Sequence, residues 1–175
     1  MKKLPLVFFL FSSIVVFSQN STATLRSVLL EQLKDTHNQK DWFVPISVAL
    51  EGLTAEQAMW SDGSGNHSAG QLAYHLLFWN ERQVLKFKGQ KVPDFSGNND
   101  ETFNSFTKES WAQTVKKLET VMVELETLVQ NADEAKLKEW APTIANISVH
   151  NAYHTGQIIF VRKLQGSWNP EKGVK

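Results

Sequence analysis

Cysteine is absent from all 175 residues. That absence removes a disulfide framework, a thiolate metal site, a cysteine nucleophile and a lipidated-cysteine anchor. Net charge is missing as well, since 18 Lys and Arg balance 18 Asp and Glu. No concentrated basic patch stands out, so nucleic acid is not an expected partner, because phosphate recognition depends on one. Long hydrophobic runs are scarce. The run from Leu4 to Phe17 is 14 residues long and interrupted by Pro5, Ser12 and Ser13, short of the roughly 20 apolar residues of a membrane-spanning helix. No second run of that length follows, so stable membrane insertion is not expected. A Gly-rich phosphate loop and a nucleophile elbow are also lacking.

What is present begins with an export pattern. Lys2 and Lys3 precede the apolar run, and Val16 and Ser18 sit where small residues flank a signal-peptidase cut. Residues 1–18 therefore read as a signal peptide, with an uncleaved anchor as the alternative, and the protein as periplasmic or secreted. Removing 18 of 175 residues leaves one domain of 157, residues 19–175, and takes two lysines with it, so the mature charge is −2. Without disulfides such a domain must be held by its core, and 42% hydrophobic residues with six tryptophans supply the material.

The apolar spacing is helical rather than alternating, which predicts an all-α fold. Leu25, Val28, Leu29 and Leu33 define a helix over 22–36, and residues 42–50 form a shorter helical piece interrupted by Pro45. Thr54 and Gln57 make a capping-box pattern that opens a short turn ending near Trp60. A central helix is expected over 68–88, apolar around much of its circumference and closed before Gly89. Residues 89–106 show no periodicity and read as a long connection. A helix over 107–131 follows, then a turn at 133–137, then a last helix from Pro142 to Leu164 that Gly166 ends. Four main helices with one long crossover describe a four-helix bundle.

Chemistry concentrates in "HNAYHTGQ", residues 150–157. At roughly 100° per residue, His150 and His154 share an arc with Thr143, Ile147, Gln157, Ile158, Val161 and Leu164, the stripe that should face the core. Side chains four apart on a helix have Cβ atoms about 5–6 Å apart, so both imidazoles can reach one cation. A third ligand should come from a neighbouring helix, and His75, beside Leu72, Leu76 and Trp79, is the candidate. The alternative is that all three are hydrogen-bonded core histidines. His37, in the polar "DTHNQK", and His67, before Ser68, read as solvated or capping residues. Gln157 orients a ligand or lines the pocket, with a helix-packing amide as the alternative.

Two metal chemistries are excluded by what stands beside the histidines. A zinc protease of the His-Glu-x-x-His type needs Glu where this chain has Asn151. A ferritin-like di-iron site needs Glu three residues before His, and those positions hold Lys34, Ser64, Leu72, Ile147 and Asn151. No Asp or Glu on the histidine arcs offers a general base.

"HSAGQLAYHLLFWNERQ", 67–83, and "SVHNAYHTGQIIFVRKLQG", 148–166, resemble the second and fourth helices of the DinB-like (DinB/YfiT) metal-dependent four-helix bundles. "ALEGLTAEQAMW", 49–60, is similar to the segment that leads into the second helix. The resemblance implies an up-down-down-up bundle with its crossover between the second and third main helices. It also implies a divalent metal held by His75, His150 and His154, with zinc or nickel ahead of manganese or iron. Family members include thiol transferases and a thiol-dependent isomerase, and form dimers. Three neutral ligands leave an ion its full charge and an open position, as in catalytic sites. The expectation is thus an exported metal-dependent hydrolase or transferase acting on a small electrophilic substrate. The alternatives are a non-catalytic metal-binding bundle and a purely structural one. The export signal departs from the cytoplasmic, thiol-using members.

Overall fold

Thr24, Thr54 and Ser68 each start a helix by the same device. In each case the hydroxyl accepts from the backbone N–H three residues on, and the side chain found there accepts from the cap's own N–H. The resulting helices are α1 (Leu25–His37), α3 (Ala55–Met59) and α4 (Ala69–Phe87), with the short α2 (Ile46–Leu50) between the first two. The chain continues through α5 (Glu101–Asn104), α6 (Trp111–Asn131), α7 (Glu134–Gln165) and a final 3-10 turn, Pro170–Lys172. The computed structural model describes residues 22–104 and 106–174, and among them it contains seven α-helices and no strand. Residues 1–18, read from the sequence as a signal peptide, lie outside the described residues.

Several boundaries differ from the sequence expectation, among them α1, which begins at Leu25 rather than 22, and α6, which begins at Trp111 rather than 107. Helix α2 begins at Ile46 rather than 42, because the position before a proline avoids the helical region and Pro45 is itself extended, at φ −72° and ψ 162°. The crossover contains α5, four residues long. The separate turn at 133–137 and the last helix are one element of 32 residues, with Pro142 inside it rather than at its start. Pro142 withholds an N–H from the Lys138 carbonyl, a local cost. Other interactions hold the turn together across it: Asp133 caps the start by accepting from Lys136 N–H at 2.8 Å, and Leu137 is fully buried. Gly166, at φ 77°, ends α7 in the left-handed conformation.

The four long helices bury one another. Helix α4 packs against α6 and α7, and α1 packs against the same pair. Leu76, Leu118, Ile144 and Ile158, one from α4, one from α6 and two from α7, are each at most 1% exposed. Burying a side chain of this kind contributes about 1.5–3 kcal/mol. Leu164, by contrast, is exposed, so the predicted stripe of α7 stops at Val161. Arg162, also buried, donates to the Ala49 carbonyl at 2.6 Å, the Glu51 carbonyl at 3.2 Å and the Ser167 carbonyl at 2.9 Å, which ties the α2–α3 junction to the end of α7.

The crossover is anchored by aromatic side chains. Phe103 and Phe106 are buried, and the Phe106 ring lies against Gly70 in the first turn of α4, where no side chain stands in its way. Among the described residues no helix is long and apolar enough to cross a membrane.

Candidate metal centre

The packing of α4 on α7 brings the three predicted histidines together. His75 from α4 and His150 and His154 from α7 each present a ring nitrogen, and these atoms all lie within 4.8 Å of one another. The two helices are pinned beside them by a buried amide pair. Asn80 Nδ2 donates to Asn151 Oδ1 at 2.8 Å, and Asn151 Nδ2 returns a longer contact of 3.4 Å to Asn80 Oδ1. Asn151, which excludes the protease motif in the sequence, thus has a positioning role in the structure.

Two of the imidazoles have their protons directed away from the centre. His75 Nδ1 lies 2.5 Å from Thr102 Oγ1. The Thr102 hydroxyl donates its own hydrogen to the Asn99 carbonyl at 2.6 Å, so toward His75 it accepts. His75 therefore carries its proton on Nδ1, which leaves a lone pair on Nε2. His154 repeats the arrangement, with Nδ1 2.6 Å from Gln157 Oε1. Gln157, read from the sequence as a residue that orients a ligand or lines the pocket or else as a packing amide, orients the ligand histidine His154, and its Nε2 donates to Tyr153 Oη at 3.3 Å. Hydrogen bonds of this kind fix the tautomer of metal-binding histidines.

The charge state suits the same purpose. Burial, followed by the fields of His154, His150 and His67, pushes the His75 pKa down to about 3. Burial and His154 bring His150 down to about 4. His154 is lowered mainly by burial, partly offset by its bond to Gln157. All three are neutral near pH 7, the form that ligates. His75 Nε2 and His150 Nε2 stand 3.1 Å apart. Two nitrogens at 2.0–2.1 Å from a shared tetrahedral centre would be about 3.3 Å apart, so this pair already stands at the separation one divalent ion requires, with the His154 nitrogen within 4.8 Å of both.

A cavity of about 540 Å³ opens beside the histidines. Trp79, Phe103 and Ile147 supply its apolar wall, and Gln83, Asn99 and Asn146 its polar one. Among the described residues no charged side chain belongs to the lining. The Phe103 ring is stacked between two imidazoles, 4.0 Å from His75 at 5° and 3.8 Å from His67 at 3°. His67 is accordingly half-buried against the site, not a solvated or capping residue; the cap of α4 is Ser68. His37 is also misread by its polar surroundings in sequence. It is 1% exposed, with Nδ1 2.6 Å from Glu126 and Nε2 2.9 Å from Glu119, both on α6.

Thr102 and Phe103 are the site residues that sequence reasoning missed. They stand in a stretch without periodicity, and their partners are distant in the chain, 27 residues away for the Thr102–His75 bond. No curated protein and no solved structure matches the chain. Residues 46–158 match the DinB superfamily, a span that contains all three histidines and Thr102. With its helices, its crossover contacts and its histidine cluster in hand, the chain belongs to the DinB superfamily.

Proposed function

We propose that the protein binds one divalent metal ion through His75, His150 and His154 and uses it in hydrolysis of a small, uncharged electrophile. The observation that carries this reading is the convergence of three neutral imidazole nitrogens within 4.8 Å at the edge of a cavity. An ion bound there would act as a Lewis acid and make a nucleophile available near neutral pH, as zinc does in hydrolases. Imidazole donors suit zinc, nickel, copper and iron alike, and the family resemblance puts zinc and nickel first.

The chain's own residues then have separable tasks. The three histidines hold the ion, and Thr102 and Gln157 hold the Nδ1 protons of two of them. Trp79 and Phe103 exclude water from one side of the cavity, while Gln83, Asn99 and Asn146 offer carboxamides to a polar substrate group. Because the described residues put no Lys or Arg in the lining, a phosphate or carboxylate substrate would find no side-chain counter-ion among them. The cavity itself favours this reading over a closed, non-catalytic metal site, which needs no room beside the ion.

Two further parts of the reading concern the whole chain. The mutual packing of α1, α4, α6 and α7 supports an up-down-down-up four-helix bundle, with the connection between α4 and α6 as the crossover. The sequence pattern supports cleavage after Ser18 and export. Export separates the site from the cytoplasmic thiols that transferases resembling this family use, which places hydrolysis ahead of thiol transfer. Mass spectrometry of the exported protein should find Gln19 as the first residue.

The test is metal analysis followed by a substrate screen. Purified protein offered zinc or nickel should hold one equivalent, and His75→Ala and His150→Ala should each lose it. Neutral esters and amides should then turn over only in the loaded protein. Substoichiometric metal in the unaltered protein, with thermal stability indifferent to chelator, would overturn the metal reading. Full metal without turnover of any neutral ester, or with turnover only of thiol and electrophile pairs, would overturn hydrolysis alone.

A further inference from the structure

Away from the histidines, one other place gathers ligating side chains. Glu31 and Asp35, four apart on one face of α1, meet Asp41 from the loop that follows, and an oxygen of each lies within 4.8 Å of the others. Glu31 and Asp41 are exposed, but Asp35 is 95% buried, at 5% exposure. Its Oδ1 has no hydrogen-bond partner, one of two such buried side-chain atoms among the described residues. Nor does any lysine, arginine or histidine of the described residues form an ion pair with the three carboxylates.

This is an expensive arrangement for three anions alone. A buried carboxylate ordinarily keeps its charge only with hydrogen bonds or a counter-charge, and two like charges beside it add repulsion. Burial, then Asp41 and Glu31, raise the Asp35 pKa above its ordinary value. One hard cation removes both penalties, because it takes the Asp35 carboxylate as a ligand and neutralises its neighbours. Calcium binds oxygen ligands at about 2.3–2.6 Å, so two oxygens across it stand up to roughly 5 Å apart. A carboxylate set spread over as much as 4.8 Å can therefore touch a single calcium ion.

We infer that Glu31, Asp35 and Asp41 form a second cation site, distinct in chemistry from the histidine centre. It takes a hard divalent cation, calcium before magnesium, and fastens the loop after α1 to the helix. Three carboxylates without an enclosing loop predict modest affinity, on the order of 10⁻⁴–10⁻³ M, as in extracellular calcium modules. Imidazole and carboxylate donors sort the ions: the nitrogen centre favours zinc or nickel, whereas the oxygen site favours calcium.

Calcium alone, added to full-length mature protein stripped of metal, tests this by calorimetry and thermal unfolding. Saturable binding of one equivalent is expected, with Tm rising about 3–6 °C at ten times Kd for a chain of this size. The response should persist in His150→Ala and vanish in Asp41→Asn, an exposed position where folding is not at risk. Asp35→Asn should also abolish it, while leaving the metal-free protein at least as stable as the original. Absence of a saturable response to calcium or magnesium would overturn the site. So would a calcium response retained by Asp41→Asn, whatever Asp35→Asn does.

Discussion

His75 and Thr102 are joined by a contact of 2.5 Å between Nδ1 and Oγ1, across 27 residues of sequence. Because Thr102 has already given its hydrogen to Asn99, this contact selects the His75 tautomer with its lone pair toward His150 and His154. A side chain on the crossover thus governs the donor capacity of a histidine on α4.

Thr102→Val keeps the shape of the fully buried side chain and removes the acceptor. The expected result is a 10–100-fold loss of zinc or nickel affinity, the usual cost of deleting an outer hydrogen bond to a metal-binding histidine. Thr102→Ser should retain most of the affinity. Competition against a chromophoric chelator measures both, and equal affinity in the Val variant would show that the tautomer is set elsewhere.

The metal-free protein should lose stability on acidification. His75 and His150 titrate near 3 and 4 when folded but near 6.5 when unfolded. Between those values the unfolded chain binds protons that the folded chain refuses. Their contribution is therefore complete above about pH 6.5 and declines as the pH falls toward the folded values. At pH 5 the loss amounts to about 2 kcal/mol per histidine. Urea unfolding of chelator-treated protein at pH 7.5 and pH 5 reads this directly, and a His75→Ala, His150→Ala double variant should show a flatter profile.

His37→Ala should destabilise the protein without affecting metal stoichiometry. The variant leaves a cavity where a 1% exposed ring lay and strips Glu126, whose side chain is 17% exposed, of its partner. Leaving the Glu126 carboxylate without its hydrogen-bond partner costs about 1–3 kcal/mol beside the cavity itself, and the largely exposed Glu119 adds little. A Tm lowered by roughly 6–12 °C is expected. A change below about 1 °C would mean that the two glutamates do not hold α1 to α6.

Gly70→Ala probes how firmly the crossover is seated. An added Cβ would overlap the Phe106 ring and come 2.9 Å from the Ala58 backbone oxygen, which cannot turn aside. Overpacking of this kind costs about 1–3 kcal/mol. Since Phe106 anchors the segment that carries Thr102 and Phe103, metal affinity should fall along with stability. Loss of stability with unchanged affinity would separate the anchor from the centre.

Much of the fold was legible because helices announce themselves locally. The capping residue Thr54 and the terminal Gly166 act within a few positions of themselves, so their spacing suffices to place those ends, whereas the cap at Thr24 starts α1 three residues later than its apolar spacing suggested. Pro142 misled because a proline suited to a first turn can also be accommodated inside a helix. Here Asp133 caps the turn before it and the burial of Leu137 holds that turn to the core. His37 and His67 misled for a related reason: polar neighbours in sequence do not reveal that Glu126 or Phe103 stands opposite in space.

Sequence by itself determined that the chain is helical, that His150 and His154 share a face, and that His75 lies on another apolar helix. Helical periodicity carries that information within each element. Only the tertiary structure decided which nitrogens converge, which of them keep a free lone pair, and that an uncharged cavity lies beside them. Those properties depend on contacts between elements, above all α4 with α7 and the crossover with α4. Burial and hydrogen bonding at such contacts set protonation and tautomer, and no local pattern encodes them.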